Sequence, residues 1–160
     1  MITQPHNTHL AQLNIAKAMD DLDSVRLRDF MSAVDAVNAA AERSPGFVWR
    51  LQDESGDATN IRAGNDPRLL VNLSVWETPE ALEKYVWQTI HKRVYEKRSK
   101  WFENMERAHL VMWWIEKGHV PTLEEAQKRL ELLRENGPSP EAFSWDALQS
   151  VSLWRSQRCA

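Results

Sequence analysis

The sequence predicts an α+β protein of ferredoxin-like plan, βαββαβ with one helix added on the C-terminal side. Three observations predict it. Apolar and polar residues alternate in four separate segments, 9–16, 47–52, 68–77 and 108–116. Stretches of helical spacing with readable start or stop signals follow the first, third and fourth of these. The second and third segments are joined by a Gly-, Asn- and Pro-containing loop, 53–67, with few apolar residues, and so read as a hairpin with a long loop.

The elements follow in order. Residues 1–8 are expected as a flexible leader. In 9–16 (HLAQLNIA), Ala11, Leu13 and Ile15 lie on one face and Leu10, Gln12 and Asn14 on the other. Asp23 or Ser24 can cap a helix running to about Arg43, with Leu27, Phe30, Met31, Val34, Val37 and Ala41 as its buried stripe. Ser44-Pro45-Gly46 stops it. The second strand sets Phe47, Trp49 and Leu51 against Val48, Arg50 and Gln52. After the third, Thr78-Pro79-Glu80 joins a capping hydroxyl to a proline at the first helical position. No Gly or Pro interrupts the chain from there to about residue 105, so one long helix is expected, bent near Thr89 to Lys92. The fourth strand (AHLVMWWIE) ends at Gly118. Thr122 and Glu125 form a capping box for the added helix, which Gly137-Pro138 closes. One domain is expected over 9–145, with 146–160 a flexible or partner-wrapping tail.

The two sheet faces predict different roles. Leu13, Ile15, Phe47, Trp49, Leu51, Val71, Leu73 and Val75 suit the helix-covered face. Gln12, Asn14, Arg50, Gln52, Asn72, Ser74 and Trp76 then lie opposite. A solvated face carries Lys, Glu and Thr; this one has amides, a hydroxyl, an arginine and an indole. It therefore suits a face that a second subunit covers around a small-molecule cavity, or a plain dimer interface with satisfied amides. The fourth strand fits either phase, with Leu110, Met112 and Trp114 or with His109 and Trp113 on that second face.

Composition excludes several classes. The 160 residues are 42% hydrophobic and 27% charged, with net charge −3, ordinary values for a globular domain and against a general nucleic-acid binder. No apolar run reaches the roughly 20 residues of a membrane span, and MITQPHNTHL shows no signal-peptide pattern. With Cys159 the sole cysteine, no disulfide framework exists and a cytoplasmic, reducing location is expected. Phosphate-loop, GxGxxG, CxxC, HExxH and nucleophile-elbow patterns do not occur, and no metal site is expected. Eight tryptophans outnumber Phe and Tyr together. They fit a core and interface of large side chains, or an aromatic-lined cavity.

The run VNLSVWETPEALEKYV, followed by His91 and Trp101-Phe102, resembles the dimeric α/β-barrel superfamily that includes the antibiotic-biosynthesis monooxygenases. GFVWRLQ, LVNLSVWE and HLVMWWIEKGHVPTLEEAQKRLELLRENGPSPEAF resemble, more specifically, an uncharacterised bacterial domain-of-unknown-function family over roughly 9–145. The resemblance implies a homodimer with facing sheets and a pocket between sheet and helices. Superfamily members include cofactor-free oxygenases, haem-binding and haem-degrading proteins and small isomerases, so the fold selects none of them.

On a continuous helix, Trp87, His91, Tyr95, Arg98 and Phe102 form one stripe. His91 is a candidate general base, a candidate haem ligand, or a histidine held by a structural hydrogen bond. Arg50, charged in mid-strand, needs an anionic partner, either a ligand or a carboxylate across a dimer. With Asn72 and Trp76 it is the candidate set that holds and polarises a phenolic substrate. Ser74, Trp87, Tyr95, Arg98, His109 and Trp114 complete the expected lining. His119, in a Gly-His-Val-Pro turn, suits a loop or cap role. Lys92, Arg93, Lys97, Arg98 and Lys100 are interleaved with Glu96, Glu103 and Glu106 and read as a solvated face. The function expected is cofactor-independent oxidation of an aromatic or phenolic metabolite, with haem binding or a non-catalytic ligand-binding module as alternatives.

Overall fold

The computed structural model describes residues 1–158, and Cys159 lies outside them. Strands β1 (Thr8–Lys17), β2 (Phe47–Arg50), β3 (Leu69–Trp76) and β4 (Leu110–Glu116) form one antiparallel sheet in the order β2-β3-β1-β4. Helices α1 (Arg28–Arg43) and α2 (Pro79–Gln88) complete the ferredoxin-like plan. A short α3 (Ile90–Glu96), the added α4 (Leu123–Asn136) and α5 (Leu153–Arg158) follow.

The helices cover the face opposite to the one expected. α1 and α2 pack on Leu10, Trp76 and Met112, through Ala41, Leu82, Tyr85 and Trp87. The other face, Ala11, Leu13, Ile15, Val71, Leu73, Val75, Val111, Trp113 and Ile115, is covered by Ala126, Leu130 and Leu133 of α4, with Ile61 and Ala63 of the 53–67 loop packed against it. Every one of those nine strand residues is 7% exposed or less within the single chain. Alternation fixes which residues share a face, but an apolar face does not reveal which helix will cover it. The added helix satisfied the more apolar one, which left the amide-bearing face to α1 and α2. Val111, Trp113 and Ile115 share the α4 face, which settles the phase of β4.

A bulge between Phe47 and Trp49 breaks the expected alternation of β2. Phe47 therefore packs edge-on to Trp76, with ring centroids 5.5 Å apart, while Trp49 and Leu51 join the α4 side. The preceding turn depends on Gly46, at φ +85°, where a Cβ would lie 2.5 Å from the Ala81 Cβ.

The expected bend is a full break at Thr89, whose backbone is extended. Its hydroxyl donates to the Tyr85 carbonyl at 2.6 Å and accepts the His91 N–H at 3.2 Å, so one side chain both ends α2 and caps α3. The helix does not continue to residue 105. A 3₁₀ turn at Arg98–Lys100 follows, and Trp101 and Phe102 dock on Ala18, Leu27 and Phe30. The capping box of α4 forms as expected, with His119 Nε2 2.9 Å from Glu125 Oε2.

The described segment 139–154 packs on the sheet and α2. Phe143 exchanges both backbone hydrogen bonds with Met112, at 2.7 and 3.0 Å, and so covers the free edge of β4. Leu148, Val151 and Trp154 are buried in the same cluster as α2. No described helix is long and apolar enough to cross a membrane.

Candidate functional site

A cavity of about 470 Å³ opens between the sheet and α2–α3, within the usual range for small-molecule sites. Its floor is Gln12, Asn14, Asn72 and Ser74. Its walls are Tyr85, Trp87, His91 and Tyr95 on one side and Ser144, Trp145, Asp146 and Trp154 of the C-terminal strap on the other. Asn14, Asn72, His109 and Asp146 are exposed and form the mouth, while Gln12, Ser74, Leu82 and Trp87 are buried at depth.

The floor is an ordered hydrogen-bond network. Gln12 Nε2 donates to Asn72 Oδ1 and to Ser74 Oγ, each at 2.7 Å. Trp76 Nε1 donates to the same Ser74 oxygen at 2.9 Å. The Trp76 ring is fully buried and stacks on Tyr85 at 5.1 Å and 22°. It thus buttresses the floor from the side, on the same sheet face, and does not line the cavity.

Because α3 starts afresh at Thr89, the aromatic stripe is redirected. Trp87 meets Tyr95 edge-on at 5.1 Å, and the His91 ring lies 5.1 Å from Tyr85 and 6.5 Å from Tyr95. His91 Nδ1 is 3.2 Å from the Val86 carbonyl. That carbonyl accepts only if Nδ1 carries the proton, so neutral His91 keeps its lone pair on Nε2. Burial pushes the imidazolium pKa down to about 4, partly offset by the Val86 carbonyl. His91 is therefore neutral at physiological pH. Burial likewise raises the Tyr85 phenol, whose oxygen donates to the Val37 carbonyl at 3.2 Å, the Arg50 charge opposing in part.

Of the expected site residues, the cavity gathers His91, Asn72, Ser74, Trp87, Tyr95 and His109. Four lie elsewhere. Arg50 pairs with Glu42 at 2.9 Å and donates to the Gly56 carbonyl at 2.7 Å, so its partner is a carboxylate of the same chain. Arg98 sits 3.9 Å over the Tyr95 ring, on the solvent side of the break. Trp114 packs on Phe143 at 5.2 Å under the strap. Trp76 is beside the floor, packed under α2. Sequence reasoning placed Gln12 and Asn14 on this face without a role and missed Trp145, Asp146 and Trp154. The one signal for these was a pair of tryptophans in a segment with no periodicity of its own. Among the described residues no cluster of three or more His, Cys, Asp or Glu side chains is placed to hold a metal.

The model of a family described as a domain of unknown function, DUF3291, matches residues 9–159. The chain belongs to this family. The DUF3291 match begins at β1 and takes in the strap as well as the sheet. No curated protein matches. Among solved structures, SnoaB, a cofactor-independent oxygenase from Streptomyces nogalater, is similar at 16% identity, with 72% of this chain and 96% of that one covered and a TM-score of 0.46. PA3566 from Pseudomonas aeruginosa also shares 16%, over 72% of this chain and all of its own, with a TM-score of 0.46. A conserved protein from Methanosarcina mazei shares 11%, over 69% and 94%, with a TM-score of 0.46.

Proposed function

We propose that this DUF3291 protein binds a small, planar, partly aromatic molecule in the cavity and oxidises it with dioxygen, without a cofactor. The observation that carries the reading is His91: a neutral imidazole, its Nδ1 held by Val86, beside Tyr85 and Tyr95 in an aromatic-walled cavity. Such a group accepts a proton through Nε2 without first losing one.

Its low basicity narrows the substrate. Moving a proton from an ordinary phenol near pKa 10 to an imidazole near 4 costs about 8 kcal/mol at about 1.4 kcal/mol per unit. For an acidic enol or polyhydroxylated ring near pKa 6 the cost is about 3 kcal/mol, small beside an ordinary catalytic barrier. We therefore assign an acidic enol or hydroxyquinone-type compound as substrate. The oxygen step rests on the superfamily resemblance. The substrate anion gives one electron to dioxygen, radical and superoxide combine to a peroxide, and loss of water leaves a carbonyl. The net reaction is one C–H, one O–H and O₂ giving two C=O groups and H₂O for each phenol converted to a quinone.

Haem fits this cavity poorly. The Val86 contact is the kind that orients an axial histidine, but the described lining carries Asp146 and no guanidinium or ammonium group to meet two propionates. A homodimer, implied by the resemblance, would have to pair through a surface other than the two sheet faces, both of which the chain covers itself.

Oxygen uptake with a panel of hydroxylated naphthoquinones and naphthols, in the presence of a chelator, tests the reading. His91→Ala is expected to lower turnover by roughly 10²–10⁴-fold. Unchanged turnover in that variant would remove His91 from the chemistry. Neither uptake nor quenching of the cavity tryptophans by any compound would overturn the function itself.

A further inference from the structure

We infer that Gln12 is a positioning residue that sets the hydrogen-bond polarity of the cavity floor, so that the floor offers donors and selects a ligand with a carbonyl or enolate oxygen. The inference rests on the ligand-binding reading above and adds the group that the ligand must present.

Both Gln12 Nε2 hydrogens are used, one on Asn72 Oδ1 and one on Ser74 Oγ. Trp76 Nε1 is an obligate donor and takes the second lone pair of the Ser74 oxygen. With both lone pairs occupied, the Ser74 hydroxyl can act only as a donor. Among the described residues no side chain or carbonyl accepts it, and Ser74 lines the cavity. Asn72 is fixed in the same sense. Its Oδ1 faces Gln12, so its amide N–H groups are turned away from Gln12, toward the exposed mouth.

The Asn72 backbone carbonyl, which can only accept, lies 3.5 Å from Gln12 Nε2 and holds the amide in this sense. Gln12 is 5% exposed and sits on the central strand between both partners. If its amide were reversed, Ser74 and Asn72 would spend their donors on Gln12 Oε1, and the floor would offer no hydroxyl. Glu at this position enforces that reversed state, since a carboxylate only accepts.

The test uses the fluorescent aromatic ketone 6-propionyl-2-dimethylaminonaphthalene, whose emission moves to the red when its carbonyl accepts hydrogen bonds. Its parent arene, 2-dimethylaminonaphthalene, serves as control. The wild-type chain is expected to bind the ketone roughly tenfold more tightly than the arene, the yield of one well-made hydrogen bond, with red-shifted emission. In Gln12→Glu the ketone should lose its preference over the arene, both measured on that variant, and its emission should move to the blue. Asn72→Asp, at an exposed position, should remove part of the preference and the red shift even if Gln12→Glu does not fold. Equal affinity for both probes in the wild type, or an unshifted ketone emission in the folded variants, overturns the polarity assignment and leaves the cavity reading standing. Binding of neither probe overturns both.

Discussion

Glu83, buried on α2, accepts the backbone N–H of Leu153 at 2.9 Å across 70 residues of sequence. It thereby fastens the start of α5 to the helix that carries Trp87. One turn of helix separates Glu83 from Trp87, and Trp154 follows Leu153 directly, so this contact sets the distance between two walls of the cavity. Burial holds the Glu83 carboxyl above the usual range, with the Leu153, Trp154 and Ser152 amides opposing.

Glu83→Ala removes the carboxylate acceptor of the part-buried Leu153 N–H, an expected cost of about 1–3 kcal/mol. Chemical denaturation should show that loss, and amide exchange should quicken selectively at 151–154. Ligand affinity should fall with it, since the Trp154 wall is no longer held. Glu83→Gln retains an acceptor and is expected to recover most of both. An Ala variant with wild-type stability and exchange would mean that the strap is held by Leu148 and Val151 alone.

The element order was legible because each element carries its own local signal: alternation in β1, β3 and β4, Thr78-Pro79 before α2, the Thr122–Glu125 box before α4. The break at Thr89 was legible as a bend, from length. Its consequence for Arg98 and Phe102 was not, because helical spacing predicts neighbours only while the helix lasts. The partner of Arg50 depends on where the 53–67 loop and α1 end up, which no short-range pattern encodes. The strap was opaque for a related reason. Its residues are held by one-off contacts, such as Phe143 on the β4 edge and Leu153 on Glu83, and these have no period. Asn72 and Ser74 were readable because amides and a hydroxyl facing inward from a strand call for a polar partner wherever the sheet sits.

His91 should make the fold acid-sensitive. Its folded pKa, about 4, lies below the ordinary 6.5, so between these values the unfolded chain takes up a proton that the folded chain refuses. The contribution of this group is complete above about pH 6.5 and is lost as pH falls towards 4. It amounts to about 3 kcal/mol at about 1.4 kcal/mol per unit. Glu83 acts in the other direction, its raised pKa favouring the fold at low pH and fading as pH rises through it. Urea unfolding of wild type and His91→Asn from pH 7 to 4 isolates the histidine, and the wild type should lose about 3 kcal/mol more than the variant. The acid limb of turnover should lie near pH 4 as well. A limb near 6.5, with equal pH dependence in the two proteins, would mean that His91 is solvated.

Arg50 should matter for stability and not for the ligand. Its guanidinium, mostly buried, holds Glu42 of α1 and the Gly56 carbonyl of the long loop. Arg50→Met keeps the aliphatic stem and loses both contacts, an expected cost of about 1–2 kcal/mol with Glu42 half exposed. Probe affinity should stay within about twofold, less than the effect of one net hydrogen bond. A tenfold loss of affinity at unchanged stability would return Arg50 to the binding site.

The covering of the second sheet face by α4 is open to a test that separates two arrangements of the same chain. Leu130 is 4% exposed and packs through α4 on the face formed by Leu13, Leu73 and Trp113. If α4 stays there in solution, Leu130→Ala opens a cavity in the core and costs about 2–5 kcal/mol, with the oligomeric state unchanged. If α4 swings away so that two sheets meet face to face, Leu130 lies outside the core. The same substitution would then change stability by a few tenths of a kcal/mol, and the chain would run as a dimer in native mass spectrometry. Because the nine strand residues of this face are already buried by the chain itself, the first outcome is expected. Ligand affinity should accordingly be independent of protein concentration.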